Sequence, residues 1–221
     1  MKFRHEYKHQ INLADIYGLR TRLSEVAKHD PNAGEDGTYF IKSLYFDNYM
    51  DKALREKIDG VNKREKFRIR YYGADTSFIR LEKKSKINSL CNKETCRITA
   101  EECQKIIFGD IEVMKDSEHE LIRELYSKMK YQLLRPKCIV AYTRECFVYP
   151  PGNVRVTLDM NICGSNNVRE FLNPDLPFLQ TYHDSILEVK WDEYLPQIIR
   201  DCVQVKSRRS AAFSKYAAIR I

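Results

Sequence analysis

Hydrophobic and polar residues alternate along several stretches of the chain. The alternation is clearest in residues 64–71, where Arg64, Lys66, Arg68 and Arg70 occupy every second position. Successive side chains of a β-strand point to opposite faces, so this stretch predicts a strand with one cationic face and one largely apolar face. Like charges along one face repel each other. The cationic face is therefore either a solvated outer surface or a wall that holds a polyanion.

The same period of two predicts about eight strands, several of them joined as hairpins. The predicted strands cover residues 3–11, 39–47, 63–73, 77–86, 90–98, 137–149, 153–162 and 185–191. Gly73, Ala74 and Asp75 supply one turn, and the sequence Pro-Pro-Gly-Asn at residues 150–153 supplies another. Short alternating strands in this number are typical of a barrel or a sandwich.

Apolar residues at helical spacing predict helices between the strands. The predicted helices cover residues 12–29, 99–108, 117–131 and 195–203, with a short helix or turn at residues 50–58. Asn12 is the predicted N-cap of the first helix, and Thr99 and Ser117 each begin a capping box. These elements predict an α+β fold. No internal repeat, low-complexity tract or linker divides the sequence, so we expect a single domain over residues 1–221.

The composition favours an anionic partner and a reducing environment. Charged residues make up 31% of the 221 residues and the formal net charge is +7, which favours nucleotides, phosphates, nucleic acid or an acidic membrane surface. The cysteine count is seven, and the absence of a CxxC pair predicts reduced thiols. The N-terminus has no apolar signal region, and no apolar run approaches the ~18 residues that would span a bilayer. We therefore expect a soluble cytoplasmic protein without a transmembrane segment.

Cations with an interspersed carboxylate recur on one face of the other predicted strands. The residues that share such faces are Arg4, Glu6 and Lys8; Arg80, Glu82 and Lys84; Tyr142 and Arg144; Arg155, Thr157 and Asp159; and Glu188 and Lys190. A single face of this kind is most often a solvated polar face over a core. Its repetition weakens that interpretation. If the sheet closes with this face inward, the lumen is a basic tunnel that contains a few carboxylates, and the predicted helices cover the apolar outer face. Periodicity alone leaves open which face is inside.

Motifs for two other kinds of site are absent or misplaced. Residues 5–9 match the HExxH pattern of zinc proteases, which requires a helix. On a strand, His5 and His9 lie roughly 13 Å apart, which is too far to share one zinc ion. No Walker A loop or dinucleotide fingerprint occurs. Side chains, rather than backbone amides at a helix start, must therefore hold any phosphate.

The order of several short motifs resembles that of a known family. The motifs are HEYKH, KFRIRYYG, RLEKKSK, AYTRECF, VRVTLD, ILEVKW and AFSKY, and they extend from about residue 3 to residue 220. The set resembles the VTC-type polyphosphate polymerase domain, a triphosphate tunnel metalloenzyme related to CYTH proteins such as class IV adenylate cyclase and thiamine triphosphatase. The resemblance implies a closed antiparallel β-barrel of about eight strands that forms a tunnel, with helices packed outside. It also implies a stand-alone, bacterial form of the domain.

The resemblance further implies the residues of a site. The predicted phosphate-binding residues are Lys8, Arg68, Arg70, Lys84, Lys93, Tyr142, Arg144, Arg155, Lys190, Ser214 and Lys215. Of these, Arg68, Arg70 and Lys215 are also predicted to be catalytic, with Lys215 near the transferred phosphoryl group. Glu188 is the implied metal ligand. Together with Glu6 it is predicted to hold Mg²⁺ or Mn²⁺, because these ions take oxygen ligands.

The implied reaction transfers the terminal phosphoryl group of ATP to a polyphosphate chain. ATP and inorganic polyphosphate or triphosphate are then the expected partners, and nucleic acid is not. Two alternatives stay open. The first is hydrolysis of tripolyphosphate or a nucleoside triphosphate on the same barrel, with water as the acceptor. The second is a non-catalytic module that binds polyphosphate or RNA. The sequence leaves the oligomeric state and the preferred ion undetermined.

Overall fold

The chain forms nine β-strands and six α-helices in a computed structural model that describes residues 4–87, 90–180, 182–205, 208 and 212–221. The strands are β1 (His5–Ile11), β2 (Lys28–His29), β3 (Thr38–Asp47), β4 (Arg64–Tyr72), β5 (Asp75–Ile87), β6 (Leu90–Ile98), β7 (Arg135–Tyr149), β8 (Val154–Ser165) and β9 (Ser185–Trp191). The α-helices are α1 (Leu13–Ser24), α2 (Lys52–Ile58), α3 (Ala100–Phe108), α4 (Glu120–Tyr131), α5 (Gln197–Cys202) and α6 (Lys215–Arg220). The predicted α+β class is confirmed.

The predicted closure of the strands into a barrel is wrong. The hydrogen-bonded strand order is β1-β9-β8-β7-β3-β4-β5-β6, and β2 pairs with β7. Within the described ranges, β1 and β6 are the two ends of this order and do not pair with each other. The alternation of side chains determines the face that each residue joins, but closure depends on which strands become neighbours. The sequence pattern carries no information about that choice.

The chain divides into two compact units. Unit 1 comprises Met1–Phe40, Tyr142–Ile162 and Tyr182–Phe213, and unit 2 comprises Ile41–Ala141, Cys163–Thr181 and Ser214–Ile221. Each unit has its own hydrophobic core. The single domain over residues 1–221 stays a prediction.

The core of unit 1 joins helices to the apolar faces of β8 and β9. It contains Ile16, Leu19 and Leu23 of α1, Val156 and Leu158 of β8, Leu187 and Val189 of β9, and Ile199 of α5. The predicted N-cap of α1 is confirmed, because Asn12 and Asp15 exchange two hydrogen bonds of 3.0 Å in a capping box. The helix ends at Ser24 rather than at His29, since Lys28 and His29 pair with β7 instead.

The core of unit 2 joins α3 and α4 to the apolar faces of β4 and β5. It contains Phe67 and Ile69 of β4, Ile79 and Leu81 of β5, Cys103 and Ile106 of α3, and Leu125 and Met129 of α4. The capping box at Thr99 is confirmed by reciprocal hydrogen bonds with Glu102 of 2.7 and 3.1 Å. The box at Ser117 is wrong: α4 begins at Glu120, and its N-cap His119 makes no side-chain capping bond. The helix α6 was not predicted.

The helices of the described residues are short. The longest, α1 and α4, have 12 residues each, and no helix of this part of the chain is long and apolar enough to cross a membrane. The six cysteines whose side chains are described are free thiols. Burial raises the pKa of Cys103 and of Cys138 to about 12, so both thiols act as small buried apolar groups.

Candidate functional site

Four charged side chains of unit 1 form a ring on β1 and β9. The two strands pair with Glu6 opposite Lys190 and Lys8 opposite Glu188, so all four side chains lie on one face. Lys8 Nζ lies 3.0 Å from Glu6 Oε1 and 3.5 Å from Glu188 Oε2. Lys190 Nζ contacts Glu188 Oε1 and lies 3.6 Å from Glu6 Oε2. We call these four residues the β1–β9 cluster.

The β1–β9 cluster is electrically balanced. The Glu188 side chain is only 6% exposed, and that of Lys8 is 18% exposed. Burial lowers the pKa of Lys8, but the carboxylates of Glu188 and Glu6 outweigh it and raise the pKa above its ordinary value. Two ammonium groups therefore face two carboxylates, and in this state the cluster offers no net charge to a phosphate chain.

The carboxylates of this cluster are of the donor type that a divalent cation prefers, and such a cation would have to displace the lysine ammonium groups that face them. Glu6 and Glu188 share both of their lysine partners, so their oxygens converge on one small region. Mg²⁺ and Mn²⁺ are commonly bound by one or two carboxylates together with phosphate oxygens of a substrate. Among the described residues, no group of three or more His, Cys, Asp or Glu side chains could hold a metal ion. An ion held by Glu6 and Glu188 would therefore take its remaining ligands from a substrate or from water.

Arg144, a predicted phosphate ligand of unit 1, is bound to a buried carboxylate. Its Nε donates to Asp159 Oδ1 at 2.6 Å, and its Nη2 donates to Asp159 Oδ2 at 2.8 Å. Asp159 is fully buried, and the guanidinium group of Arg144 lies 5.4 Å from the ring centroid of Tyr142. Two parallel hydrogen bonds fix the guanidinium plane. Arg144 therefore cross-links β7 and β8 within unit 1.

Arg155, the next predicted ligand, is held by a loop of unit 1. Its Nη2 donates to Asp30 Oδ2 at 2.6 Å and to the Tyr39 hydroxyl at 2.8 Å. Asp30 also accepts from the backbone N–H and the side-chain amide of Asn32, at 3.0 and 2.7 Å. Burial raises the pKa of Tyr39 to about 12, although Arg144 and Arg155 act in the opposite direction. The tyrosine is thus a neutral partner of Arg155 at neutral pH.

A second set of charges lies on β4, β5 and β6 of unit 2. The strand register places Lys66 opposite Lys84 and Lys84 opposite Lys93, so three lysines form a row across the strands. Arg68 lies opposite Glu82 in the adjacent row. These five residues line a small cavity of about 20 Å³ that is open to solvent. We call them the β4–β6 cluster.

Glu82 binds two cations of the β4–β6 cluster. Arg68 Nε donates to Glu82 Oε2 at 2.7 Å, and Lys93 Nζ lies 2.5 Å from Glu82 Oε1. Glu82 is only 2% exposed. Burial raises the pKa of its carboxyl group, but Arg68, Arg70 and Lys93 outweigh burial and lower the pKa to about 2. The carboxylate is therefore ionised at every pH where the protein would be studied.

Tyr45 on β3 belongs to the same charged group. Its hydroxyl accepts from Arg68 Nη1 at 3.0 Å, and Lys66 Nζ lies 5.3 Å from its ring centroid. Arg70 is buried beside it and donates from Nε to Ser43 Oγ at 2.9 Å. Burial raises the pKa of Tyr45, but Arg68, Lys66 and Arg70 outweigh burial and lower it to about 7. A buried phenol in this setting ionises near neutral pH.

The helix α6 carries the last two predicted phosphate ligands. Ser214 is its N-cap, with Oγ accepting a backbone N–H of the first turn at 3.4 Å, and Lys215 is its first residue. Tyr216 is buried and donates from its hydroxyl to Asp47 Oδ2 at 2.6 Å. Its ring stacks on Tyr45 with a centroid separation of 5.1 Å. Tyr45 therefore contacts both Arg68 and the residue that follows Lys215.

The predicted site residues fall into two groups, one in each unit. Glu6, Lys8, Tyr142, Arg144, Arg155, Glu188 and Lys190 belong to unit 1, and Arg68, Arg70, Lys84, Lys93, Ser214 and Lys215 belong to unit 2. That both groups face one tunnel stays a prediction. Glu82 and Tyr45 were not predicted to be site residues. Alternation placed Glu82 on the cationic face of its strand, but only the register of three strands brings it to Arg68 and Lys93.

The motifs behind these clusters are those of one family. A family model described as the VTC domain matches residues 3–220. The chain belongs to the VTC domain family. The match extends over both units, so it includes the β1–β9 cluster and the β4–β6 cluster of this VTC domain. A search of curated proteins found no match.

Solved structures of low sequence identity share the fold of this VTC domain. A candidate adenylyl cyclase from Hippeastrum, described as having a dominant triphosphatase activity, is 14% identical with a TM-score of 0.60, and the match covers 100% of this chain and 95% of that chain. Protein PH1012 of Pyrococcus horikoshii is 15% identical with a TM-score of 0.55, and 99% of each chain is covered. A candidate adenylate cyclase from Bacillus halodurans is 11% identical with a TM-score of 0.52, and the match covers 86% of this chain and 80% of that chain. At these identities the likeness is one of fold.

Proposed function

We propose that this VTC domain is a phosphotransferase that moves the terminal phosphoryl group of ATP to a polyphosphate chain with the help of a divalent cation. The observation that carries the proposal is the β4–β6 cluster, in which four cations from neighbouring strands line one cavity. Membership of the VTC domain family supports the same interpretation, because the matched residues include the strands on which the cluster lies.

The charge of the β4–β6 cluster suits a phosphate chain. A triphosphate carries about four negative charges, and arginine and lysine bind its oxygens through charge-assisted hydrogen bonds. Phosphoryl transfer requires positioning and charge neutralisation more than covalent catalysis. Rigid strands supply the positioning here, since Arg68 is fixed by Glu82 and by the Tyr45 hydroxyl.

The proposed reaction exchanges one phosphorus–oxygen bond for another. The bond between the γ-phosphorus of ATP and its bridging oxygen breaks, and ADP leaves with the electron pair. A terminal oxygen of the polyphosphate chain forms the new bond, so the chain grows by one phosphate. Arg68, Arg70 and Lys84 would orient the phosphates, and Lys215 would lie near the transferred group. In unit 1, a divalent cation held by Glu6 and Glu188 would neutralise charge on the oxygens of a phosphate bound to that unit.

The remaining predicted ligands would act less directly. Arg144 already donates two hydrogen bonds to Asp159, so it would fix the position of its strand as well as attract phosphate. Arg155 would have to share its guanidinium group between Asp30 and a phosphate. Ser214 would place Lys215 by capping α6.

Hydrolysis is the second candidate function. The Hippeastrum protein of the same fold is described as having a dominant triphosphatase activity. In that case water would take the place of the chain's terminal oxygen, and the proposed phosphate ligands would be the same. Polymerase and hydrolase therefore differ in the acceptor that enters the site.

One incubation separates the candidates. The full chain is mixed with γ-labelled ATP and Mn²⁺ or Mg²⁺, and the products are resolved on a gel. We expect a ladder of labelled chains. Free phosphate as the sole product would favour the hydrolase, and binding of tripolyphosphate without turnover would indicate a non-catalytic module.

A paired substitution tests the cluster itself. Arg68→Ala combined with Arg70→Ala should abolish tripolyphosphate binding, and the melting temperature should fall because Glu82 loses its arginine partner. The matched control is Lys83→Ala combined with Lys128→Ala, which removes two cations that pair with carboxylates on the other face. Equal loss of binding in the control would mean that only net charge matters, and the assignment of the cluster would be wrong.

A further inference from the structure

Glu82 is the single acidic side chain among the five residues that line the β4–β6 cavity. A carboxylate at this position repels the polyanion that the other four residues would attract. It is also almost completely buried, so it is not an incidental surface charge. The presence of the Glu82 carboxylate among these cations therefore calls for a functional explanation.

We propose that Glu82 is the charge-setting residue of this site: it positions Arg68 and Lys93, and it limits the affinity for a phosphate chain so that the chain is released. This inference rests on the proposed function of the β4–β6 cluster as a phosphate-binding site.

The positioning role follows from the way its two oxygens are used. Oε2 accepts from Arg68 on β4, and Oε1 contacts Lys93 on β6, so one carboxylate joins the strands on both sides of β5. Without it, the two cations would face each other across β5. Burial, Arg68 and Arg70 lower the pKa of Lys93, and Glu82 acts in the opposite direction. Glu82 therefore holds Lys93 in place.

The release role follows from the balance of charge. Glu82 cancels one of the four positive charges that line the cavity. A chain that must move past a row of binding groups needs sites that are attractive but not too tight, as ions do in a selective pore. Because the carboxylate stays ionised at neutral pH, this reduction in affinity does not depend on pH in the neutral range.

Binding measurements on two variants test the inference. Glu82→Gln keeps the volume of the side chain and removes its charge. Titrated with tripolyphosphate in the absence of metal, it should bind about tenfold more tightly than the wild type and show a steeper dependence on salt. Where the wild type turns over, kcat and KM should both fall. A residue that merely stabilised the fold would not tighten binding.

The matched control is Glu65→Gln. Glu65 lies on the face of β4 opposite to Arg68 and pairs with Lys83 and Lys128. The substitution of glutamate by glutamine changes the net charge of the protein by the same amount as Glu82→Gln. The affinity of this variant for tripolyphosphate should stay within about twofold of the wild type, because Glu65 lies on the opposite face of β4, where Lys83 and Lys128 pair with it. A tenfold gain in this control would attribute the effect to net charge and overturn the inference.

The remaining outcomes are also decisive. Equal or weaker binding by folded Glu82→Gln would reduce Glu82 to a structural ion pair. If that variant does not fold, Glu82→Asp keeps the charge and should bind tripolyphosphate like the wild type, so tighter binding by Glu82→Asp would overturn the inference. A wild-type chain that binds no tripolyphosphate would instead reject the proposed function, and this inference with it.

Discussion

At the scale of single residues, Tyr45 shows how neighbouring charges change the pKa of a side chain. Three cations lower its pKa to about 7 against the effect of burial. We predict that a near-ultraviolet titration of the wild-type protein reveals one tyrosinate with a midpoint near pH 7, and that Tyr45→Phe lacks it. Tyr71→Phe is the control, because burial raises the pKa of Tyr71. An unchanged titration in Tyr45→Phe would mean that the phenol is neutral.

The same shift sets the sign of a stability effect. The pKa of Tyr45 in the folded state lies below its ordinary value of 10.0, so ionisation stabilises the folded protein most above pH 10. This contribution is lost as the pH falls through about 7. Between these limits, the free energy of unfolding of the wild type should rise with pH relative to that of Tyr45→Phe.

Glu188 offers a second prediction at this scale. Its carboxylate is a partner of both Lys8 and Lys190, so Glu188→Gln should lower the free energy of unfolding by about 1–3 kcal/mol. If Glu188 also holds a cation with Glu6, Mn²⁺ should add to the rise in melting temperature that tripolyphosphate alone causes in the wild type but not in the variant, and the variant should lose turnover.

Lys190→Gln separates the two roles of Glu188. This substitution breaks the ion pair between Glu188 and Lys190 but leaves the carboxylates of Glu6 and Glu188 in place. The Lys190→Gln variant should therefore retain the stabilisation by Mn²⁺. A Glu188→Gln variant that keeps near-wild-type turnover would remove Glu188 from the list of metal ligands.

At the scale of elements, the Arg144–Asp159 pair joins two strands through a fully buried carboxylate. Arg144→Ala removes the two hydrogen bonds that Asp159 accepts from the guanidinium group, so we expect a loss of about 3–5 kcal/mol of stability. Arg144→Ala combined with Asp159→Ala should recover part of that loss, because the buried charge is gone. Denaturant titrations of the two variants measure the difference. An Arg144→Ala variant as stable as the wild type would mean that Arg144 does not stabilise the fold.

The elements also mark the limit of what the sequence predicts. Alternation located β4 and β5 to within a few residues and placed Arg68, Arg70 and Lys84 on one face. It missed the role of Tyr45, since that residue meets Arg68 only through the register of β3 with β4. The short helix α6 follows a tail without clear periodicity, and it depends on tertiary contacts of Tyr216.

At the scale of the whole molecule, the net charge of +7 does not show how the charged side chains are paired. Many cations pair with carboxylates: the β1–β9 cluster is neutral, and Lys83 of β5 contacts Glu65, Glu94 and Glu124. A prediction from net charge alone therefore overstates the affinity of the protein for nucleic acid. The β4–β6 cluster gathers four cations in one small area, where they are set among strands rather than along a helix or a tail.

This arrangement predicts a preference for phosphate chains over duplex DNA. Arg70 is 5% exposed and the Arg68 side chain is 22% exposed, so the wide, rigid backbone of a duplex would reach them poorly, whereas a narrow flexible chain can enter. Tripolyphosphate at a hundred times its Kd should raise the melting temperature by about 5–10 °C. Duplex DNA at the same phosphate concentration and physiological salt should raise it by less than about 1 °C, because exposed contacts to DNA weaken steeply with salt. A thermal-shift series with both ligands measures this, and Arg68→Ala combined with Arg70→Ala should lose the tripolyphosphate shift. Stabilisation by DNA but not by tripolyphosphate would place the working surface outside the β4–β6 cluster and reject the phosphate-chain interpretation.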